Sequence, residues 1–155
     1  MRRLAATACA VVLGASTAVW WALRDSSPYS LRETPAVTVT VRAAVADSPD
    51  AEEVADEAEL LIKAYVQRLA AGDAAGLGDL GAPWYTGRRE AAEELVADYG
   101  SVAARPVEAT VADPVVPYLA HVDVRFTGGK RQTLYLTRGD GVWWVELGEG
   151  DPVHP

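Results

Sequence analysis

His121 and Asp123 are the two side chains of this sequence best suited to acid–base chemistry. They lie two residues apart in a segment with strand-like alternation, so both point from the same strand face. A histidine oriented by a carboxylate can act as a general base. Because Val122 and Val124 mark the opposite face as the core, we expect both polar side chains to face solvent. We therefore predict no catalytic residue.

Aromatic side chains form a second group of candidates, because pockets for small molecules are mostly apolar with a few polar groups. Those that could line such a pocket are Tyr65, Trp84, Tyr85, Tyr99 and Trp143. We favour an ordinary core role for Tyr65 and Trp143, since both occupy periodic apolar positions. Trp84 and Tyr85 follow Pro83 in a loop, where they either line a cavity or form a lid over the core.

Trp143 and Trp144 are neighbours on one strand and must face opposite sides of it. If Trp143 is buried, Trp144 can join Tyr118 and Tyr135 in an exposed aromatic patch typical of a binding surface. Alternatively, that second side is itself an open pocket, and the sequence does not decide between the two. The candidate ligand or partner residues are Tyr65, Trp84, Tyr85, His121, Asp123 and Trp144.

The composition excludes several classes of function. A net charge of −8 with scattered Lys and Arg does not suit nucleic acid, which requires clustered basic residues. The acidic run at residues 47–59 is interpreted as the solvated start of a helix.

We find no metal-ligand spacing, phosphate loop or serine elbow, so we expect no metal and no cofactor. Cys9 is the only cysteine, which excludes an internal disulfide.

Residues 4–23 contain no charged side chain and predict one transmembrane helix, since about 20 helical residues reach about 30 Å. Arg2 and Arg3 precede this run and place the N-terminus in the cytoplasm, with the domain outside. The alternative is a cleaved signal peptide and a secreted domain, with cleavage after Ala18. We favour the anchor, because cleavage there would leave an apolar end beginning at Val19.

The remaining chain predicts helices first and strands afterwards. Apolar residues at helical spacing predict a long helix that begins near Asp50, with a capping box to Glu53, and ends at Gly72. Asp73 caps a second, short helix, and a third helix covers residues 87–99. After residue 106, two-residue alternation and glycine turns predict an antiparallel meander.

The predicted fold class is therefore α+β, with three helices packed on a curved antiparallel sheet of about four strands, preceded by one transmembrane helix. The predicted boundaries are an anchor at 1–24, a linker at 25–49, the domain at 50–148 and a tail at 149–155. Within the linker, Val37, Val39 and Val41 alternate with polar residues. We favour an extended tether here over a strand that pairs with the domain's own sheet or with a partner chain.

Two segments resemble the nuclear transport factor 2-like superfamily. Residues 64–73 (AYVQRLAAGD) are similar to its opening helix, and residues 139–147 (GDGVWWVEL) are similar to its final strand. The resemblance covers residues 50–147 and implies a cone in which a curved sheet wraps a long helix. The superfamily includes isomerases and dehydratases that use Asp, His or Tyr in the mouth of the cone. It also includes non-catalytic, single-span bacterial members whose exported cone serves a membrane assembly.

We therefore expect a membrane-tethered, extracytoplasmic, non-catalytic domain that contacts a protein partner or binds a small apolar ligand. Inward Asp and His residues typical of the enzymes are not evident, which makes catalysis the alternative. That alternative is a small isomerase or dehydratase that uses a cavity of the cone.

The predicted anchor can be tested by cell fractionation. We expect the full chain to stay with the membrane fraction after a high-salt wash, because apolar insertion does not depend on ionic strength. Recovery from the medium of a product that begins at Val19 would show cleavage instead.

Overall fold

The computed structural model of the chain describes residues 28–32, 36–44, 48–112 and 116–152. The elements within these ranges are β1 (Val39–Ala43), α1 (Pro49–Ala71), α2 (Ala74–Gly78), α3 (Arg88–Ala103), β2 (Val107–Val111), β3 (Leu119–Phe126), β4 (Arg131–Gly139) and β5 (Val142–Val145). The strands form one sheet in the order β1-β2-β3-β4-β5. β1 is parallel to β2, and each of the other neighbouring pairs is antiparallel.

The α+β arrangement has the expected three helices, but the predicted fold class is wrong in other respects. The sheet has five strands and is mixed, because residues 39–43 pair with β2 where we expected a tether. This pairing satisfies backbone groups of β2 and half-buries Val39 and Val41 against the core. No helix in the described ranges is long and apolar enough to cross a membrane. The predicted span, residues 4–23, lies outside them.

The N-cap of α1 lies two residues before the predicted cap at Asp50. Ser48 is the N-cap, and its Oγ accepts a hydrogen bond from the Ala51 amide at 3.4 Å. Pro49 is the first helical residue, a position that proline favours because no amide donor is needed there. The capping box predicted at Asp50 is therefore wrong. The helix ends as predicted at Gly72, which has a left-handed backbone conformation.

The two following helices pack against α1. Asp73 caps α2 as predicted, and its carboxylate accepts a hydrogen bond from the Gly76 amide at 2.9 Å. α3 continues four residues beyond its predicted end at residue 99. Gly100 lies inside α3, where a Cβ would come within 3.1 Å of the Leu69 carbonyl oxygen. Glycine at this position allows α1 and α3 to approach closely, and α3 continues past it to Ala103.

The core lies between α1 and the inner face of the sheet. Its largest fully buried side chains include Trp143, Tyr65 and Phe126. The indole Nε1 of Trp143 donates a hydrogen bond to Glu57 Oε2 of α1 at 2.9 Å. The Tyr65 hydroxyl donates to Gln132 Oε1 of β4 at 3.0 Å. Both bonds connect the helix to the sheet, so the two layers are joined by polar contacts as well as by apolar packing.

The chain crosses itself closely at Gly148. Its φ is 82°, and a Cβ at this position would overlap the carbonyl oxygen of Thr86. Thr86 and Glu149 exchange two backbone hydrogen bonds, each 2.9 Å long. The loop before α3 is thereby fixed to the segment that follows β5.

We predict that Trp143→Ala destabilises the domain by about 3–5 kcal/mol, because the side chain is only 2% exposed and its removal leaves a cavity in the core. Urea unfolding followed by circular dichroism would measure the change. Tyr118→Ala provides a control, since this side chain is 39% exposed and its removal should change the free energy by less than about 0.5 kcal/mol. Equal stability of the two variants would contradict a core role for Trp143.

Candidate functional site

Buried and exposed side chains alternate strictly along β3 from Ala120 to Phe126. Val122 and Val124 are buried, whereas His121, Asp123 and Arg125 are exposed. The prediction that His121 and Asp123 face solvent is confirmed. The face on which they lie is the side of the sheet opposite the core.

Neighbouring strands extend this exposed face. In the register of the sheet, His121 lies opposite Tyr135, and Arg125 lies opposite Glu108. We define the outer sheet face as Glu108, Thr110, His121, Asp123, Arg125, Arg131, Thr133 and Tyr135. A depression of about 280 Å³ occupies the part of it around Asp123. Two acidic side chains, Glu108 and Asp123, and two basic ones, Arg125 and Arg131, line this depression, so it has no single sign of charge.

His121 and Asp123 contact different partners. The His121 ring packs edge-on against the Tyr135 ring, with 4.8 Å between the ring centroids. Asp123 Oδ1 accepts a hydrogen bond from the Thr133 hydroxyl at 3.3 Å. This arrangement does not orient the imidazole as a general base. Among the described residues, no three His, Cys, Asp or Glu side chains are grouped as metal ligands would be.

Glu146 adds a partly buried carboxylate beside the ring pair. Its backbone amide donates a hydrogen bond to the Tyr135 carbonyl at 2.9 Å. Burial raises the pKa of Glu146, and the charge of His121 opposes part of that rise. The ionised form of Glu146 is therefore less favourable in the folded domain than in the unfolded chain.

Tyr65 and Trp143 are core residues, as predicted, and burial raises the pKa of the Tyr65 hydroxyl. Trp84 and Tyr85 instead form a cover at one end of the sheet. The Trp84 ring lies over the backbone of Gly139, and its Nε1 donates to the Asp151 carbonyl at 3.0 Å. We predicted that Trp84 and Tyr85 either line a cavity or form a lid over the core, and this geometry corresponds to a lid.

Tyr85 lies beneath the segment that follows β5. Its ring is buried against Gly150, and burial raises its pKa to about 12, with a smaller contribution from nearby carboxylates. The Thr137 hydroxyl of β4 donates to the carbonyl of Pro152 in the same segment. Residues 149–152 therefore cover the Thr137 end of the outer side of the sheet and leave the outer sheet face open.

Trp144 does not belong to a continuous exposed patch. It is half-buried, and its ring meets the Tyr29 ring edge-on, with 6.3 Å between centroids. Tyr29 is itself buried, and its hydroxyl donates to the Trp143 carbonyl at 3.2 Å. Of the aromatic patch that we predicted, Tyr118 and Tyr135 are exposed, whereas Tyr29 covers Trp144.

Residues 28–32 bind to the C-terminal end of α1, a contact that the sequence did not reveal. Gln67 Oε1 accepts a hydrogen bond from the Arg32 amide at 2.7 Å. Arg68 Nη2 donates to the Ser30 carbonyl at 2.7 Å, and Arg32 forms an ion pair with Asp73. Burial lowers the pKa of Arg68. Because most of these bonds involve backbone atoms of residues 28–32, no side-chain pattern in that segment indicated them.

We predict that Glu146→Gln stabilises the domain at pH 7. A carboxyl whose pKa is raised by folding opposes folding above its unfolded pKa of about 4.3, and this effect disappears below that pH. Thermal unfolding should give Glu146→Gln a higher midpoint than the wild type at pH 7. At pH 3.5 the two proteins should have the same midpoint. Glu149→Gln, an exposed neighbour, is the control and should change neither midpoint. An equal gain at both pH values would contradict this explanation.

No model of a known protein family matches this chain, and neither do curated proteins or solved structures. The resemblance of residues 64–73 and 139–147 to the nuclear transport factor 2-like superfamily therefore stays a prediction. The function has to be inferred from the geometry of the domain itself.

Proposed function

We propose that this chain is a non-catalytic domain that acts through protein contacts and that its outer sheet face is a binding surface. The observation that carries the proposal is the filled space between α1 and the sheet. A ligand-binding cone keeps that space open, whereas here Trp143, Tyr65 and Phe126 occupy it. This filling favours a protein partner over a small apolar ligand.

The outer sheet face has the composition of a protein-binding surface. Tyr135 is 48% exposed and packs against His121 at one end of this face. Beyond the two rings along the strands lies Asp123, followed by the row of Glu108, Arg125 and Arg131. Tyrosine is enriched among the residues that contribute most to binding, and protein interfaces combine such aromatic contacts with polar side chains.

The enzyme alternative receives less support from the geometry. An acid–base pair needs the base and its orienting group within hydrogen-bonding distance in a site sheltered from water. His121 and Asp123 are exposed and bonded to other neighbours. The extracytoplasmic location stays a prediction from residues 2–25, which lie outside the described ranges.

Photocrosslinking in living cells tests the proposed surface. We expect a benzophenone side chain at Tyr135 to give a discrete protein adduct after irradiation, because this position is the exposed aromatic contact of the outer sheet face. Glu93 on α3 is also exposed and lies on a different element, so it is the matched control and should give no adduct.

Alanine substitutions provide the complementary measurement. Tyr135→Ala should abolish crosslinking from a benzophenone at Thr133 without changing thermal stability, because it removes an exposed aromatic contact. Absence of an adduct from every position on the outer sheet face would contradict the proposed function.

A further inference from the structure

β1 forms an edge of the sheet, and half of its backbone groups point away from the sheet. The Thr38 carbonyl accepts from the Val107 amide at 2.9 Å, and the Ala44 amide donates to the Val111 carbonyl at 2.7 Å. In a parallel ladder, alternate residues bond to the same neighbour, so the even-numbered residues of β1 face β2. The amides and carbonyls of Val39, Val41 and Ala43 therefore face the open edge. In the described part of the chain, β1 pairs with β2 alone.

A groove with an apolar floor and an acidic wall runs beside this edge. It has a volume of about 230 Å³ and lies between β1 and α1. Its floor includes Val41 and Ala55, and its wall is formed by Glu52, Asp56 and Glu59 of α1. These three carboxylates are spaced four and three residues apart, so they follow one side of the helix. Glu59 is paired with Lys63 at 2.6 Å, and Arg42, which also lines the groove, is paired with Glu108 at 3.6 Å.

We propose that this edge binds an extended segment of a partner protein, in which Lys or Arg occupies alternate positions. The segment adds as a sixth strand beside β1. The inference rests on the proposed function, since it names the chemistry of the partner that the domain contacts.

The pattern of the partner segment follows from the two sides of the edge. In an added strand, every second side chain points toward α1. A lysine or arginine at these positions can lay its aliphatic stem on Val41 and Ala55 and extend its charge to Asp56 or Glu52. The other side chains of the segment continue the outer side of the sheet beside Thr40 and Arg42, where polar residues fit.

A second copy of this chain is a poorer occupant. Pairing of two β1 strands would bring two acidic α1 walls toward one groove, in a protein with a net charge of −8. Like charges on facing surfaces oppose association. β1 also carries Val39, Val41 and Ala43 toward α1, so a second copy supplies no cation on the side where the carboxylates lie.

Peptide binding to the full chain in mild detergent tests the proposal. The probe is a fluorescent octapeptide of alternating lysine and threonine. Its control contains four consecutive lysines followed by four threonines, so the charge is the same and the alternation is lost. We expect the alternating peptide to bind at least about tenfold more tightly, because it alone can place its cations on one side of a strand. Equal affinity of the two peptides would overturn the proposal.

Charge reversals on α1 locate the site. Glu52→Lys combined with Asp56→Lys should weaken binding of the alternating peptide by about tenfold or more, because two attractive contacts become repulsive. Asp50→Lys combined with Glu53→Lys makes the same charge change on the side of α1 that faces the Val116 region. This control should bind within about twofold of the wild type. Equal loss in both double variants would overturn the location.

Amide hydrogen exchange gives a readout that charge alone cannot produce. Peptide binding should slow exchange at Val39, Val41 and Ala43, whose amides face the open edge, and should leave Thr40 and Arg42 unchanged. Binding without this odd–even difference would overturn strand addition. Slow exchange at the same three amides without peptide, together with a molecular mass of the protein in solution that rises with its concentration, would identify a second copy as the occupant. That result would overturn the proposed partner.

The two proposals fail separately. A crosslinked adduct from Tyr135 in cells, together with no alternating-peptide binding, would overturn the strand-addition site and leave the proposed function standing. Peptide binding without any adduct from the outer sheet face would overturn that face as the binding surface while supporting the β1 edge.

Discussion

The position of the Trp143 indole is the constraint on which the remaining structure depends. Its ring fills the space between α1 and β5, and its Nε1 donates to Glu57 at 2.9 Å. The other carboxylate oxygen of Glu57 accepts from Arg138 at 3.0 Å, and the Arg138 guanidinium lies 5.6 Å from the centre of the indole. The Trp143 carbonyl accepts from Tyr29. One residue thus connects the long helix, two strands and the N-terminal part of the domain.

The faces of the sheet follow from this inward position. Successive side chains of a strand point to opposite sides, so Trp144 points outward when Trp143 points inward. Residues that pair across neighbouring strands lie on the same face, so this orientation also determines which residues of β4 and β3 face outward. Tyr135 and His121 are therefore directed to solvent by the same constraint that fills the core. An exposed outer sheet face and a filled interior are two results of one packing arrangement.

Features that depend on residues close in sequence could be predicted. The two faces of β3 follow from its alternation, and Asp73 marks the start of α2 because a cap bonds to an amide three residues away. The pairing of β1 could not be predicted, since alternation identifies side chains on one face but not the neighbouring strand. The contact between His121 and Tyr135 depends on the register of two strands. The docking of residues 28–32 uses mainly their backbone atoms, whose bonding capacity is nearly the same in every residue.

The crossing at Gly148 also has a consequence for ancestry. Because the segments around Thr86 and Gly148 pass each other at van der Waals distance, position 148 tolerates no side chain. This restriction holds however much the surface of the domain changes during evolution. Descendants of a common ancestor can exchange every exposed residue and still retain this glycine after the last strand. Such a position, together with a tryptophan five residues before it, is a signature by which diverged homologues can be identified when overall similarity has been lost.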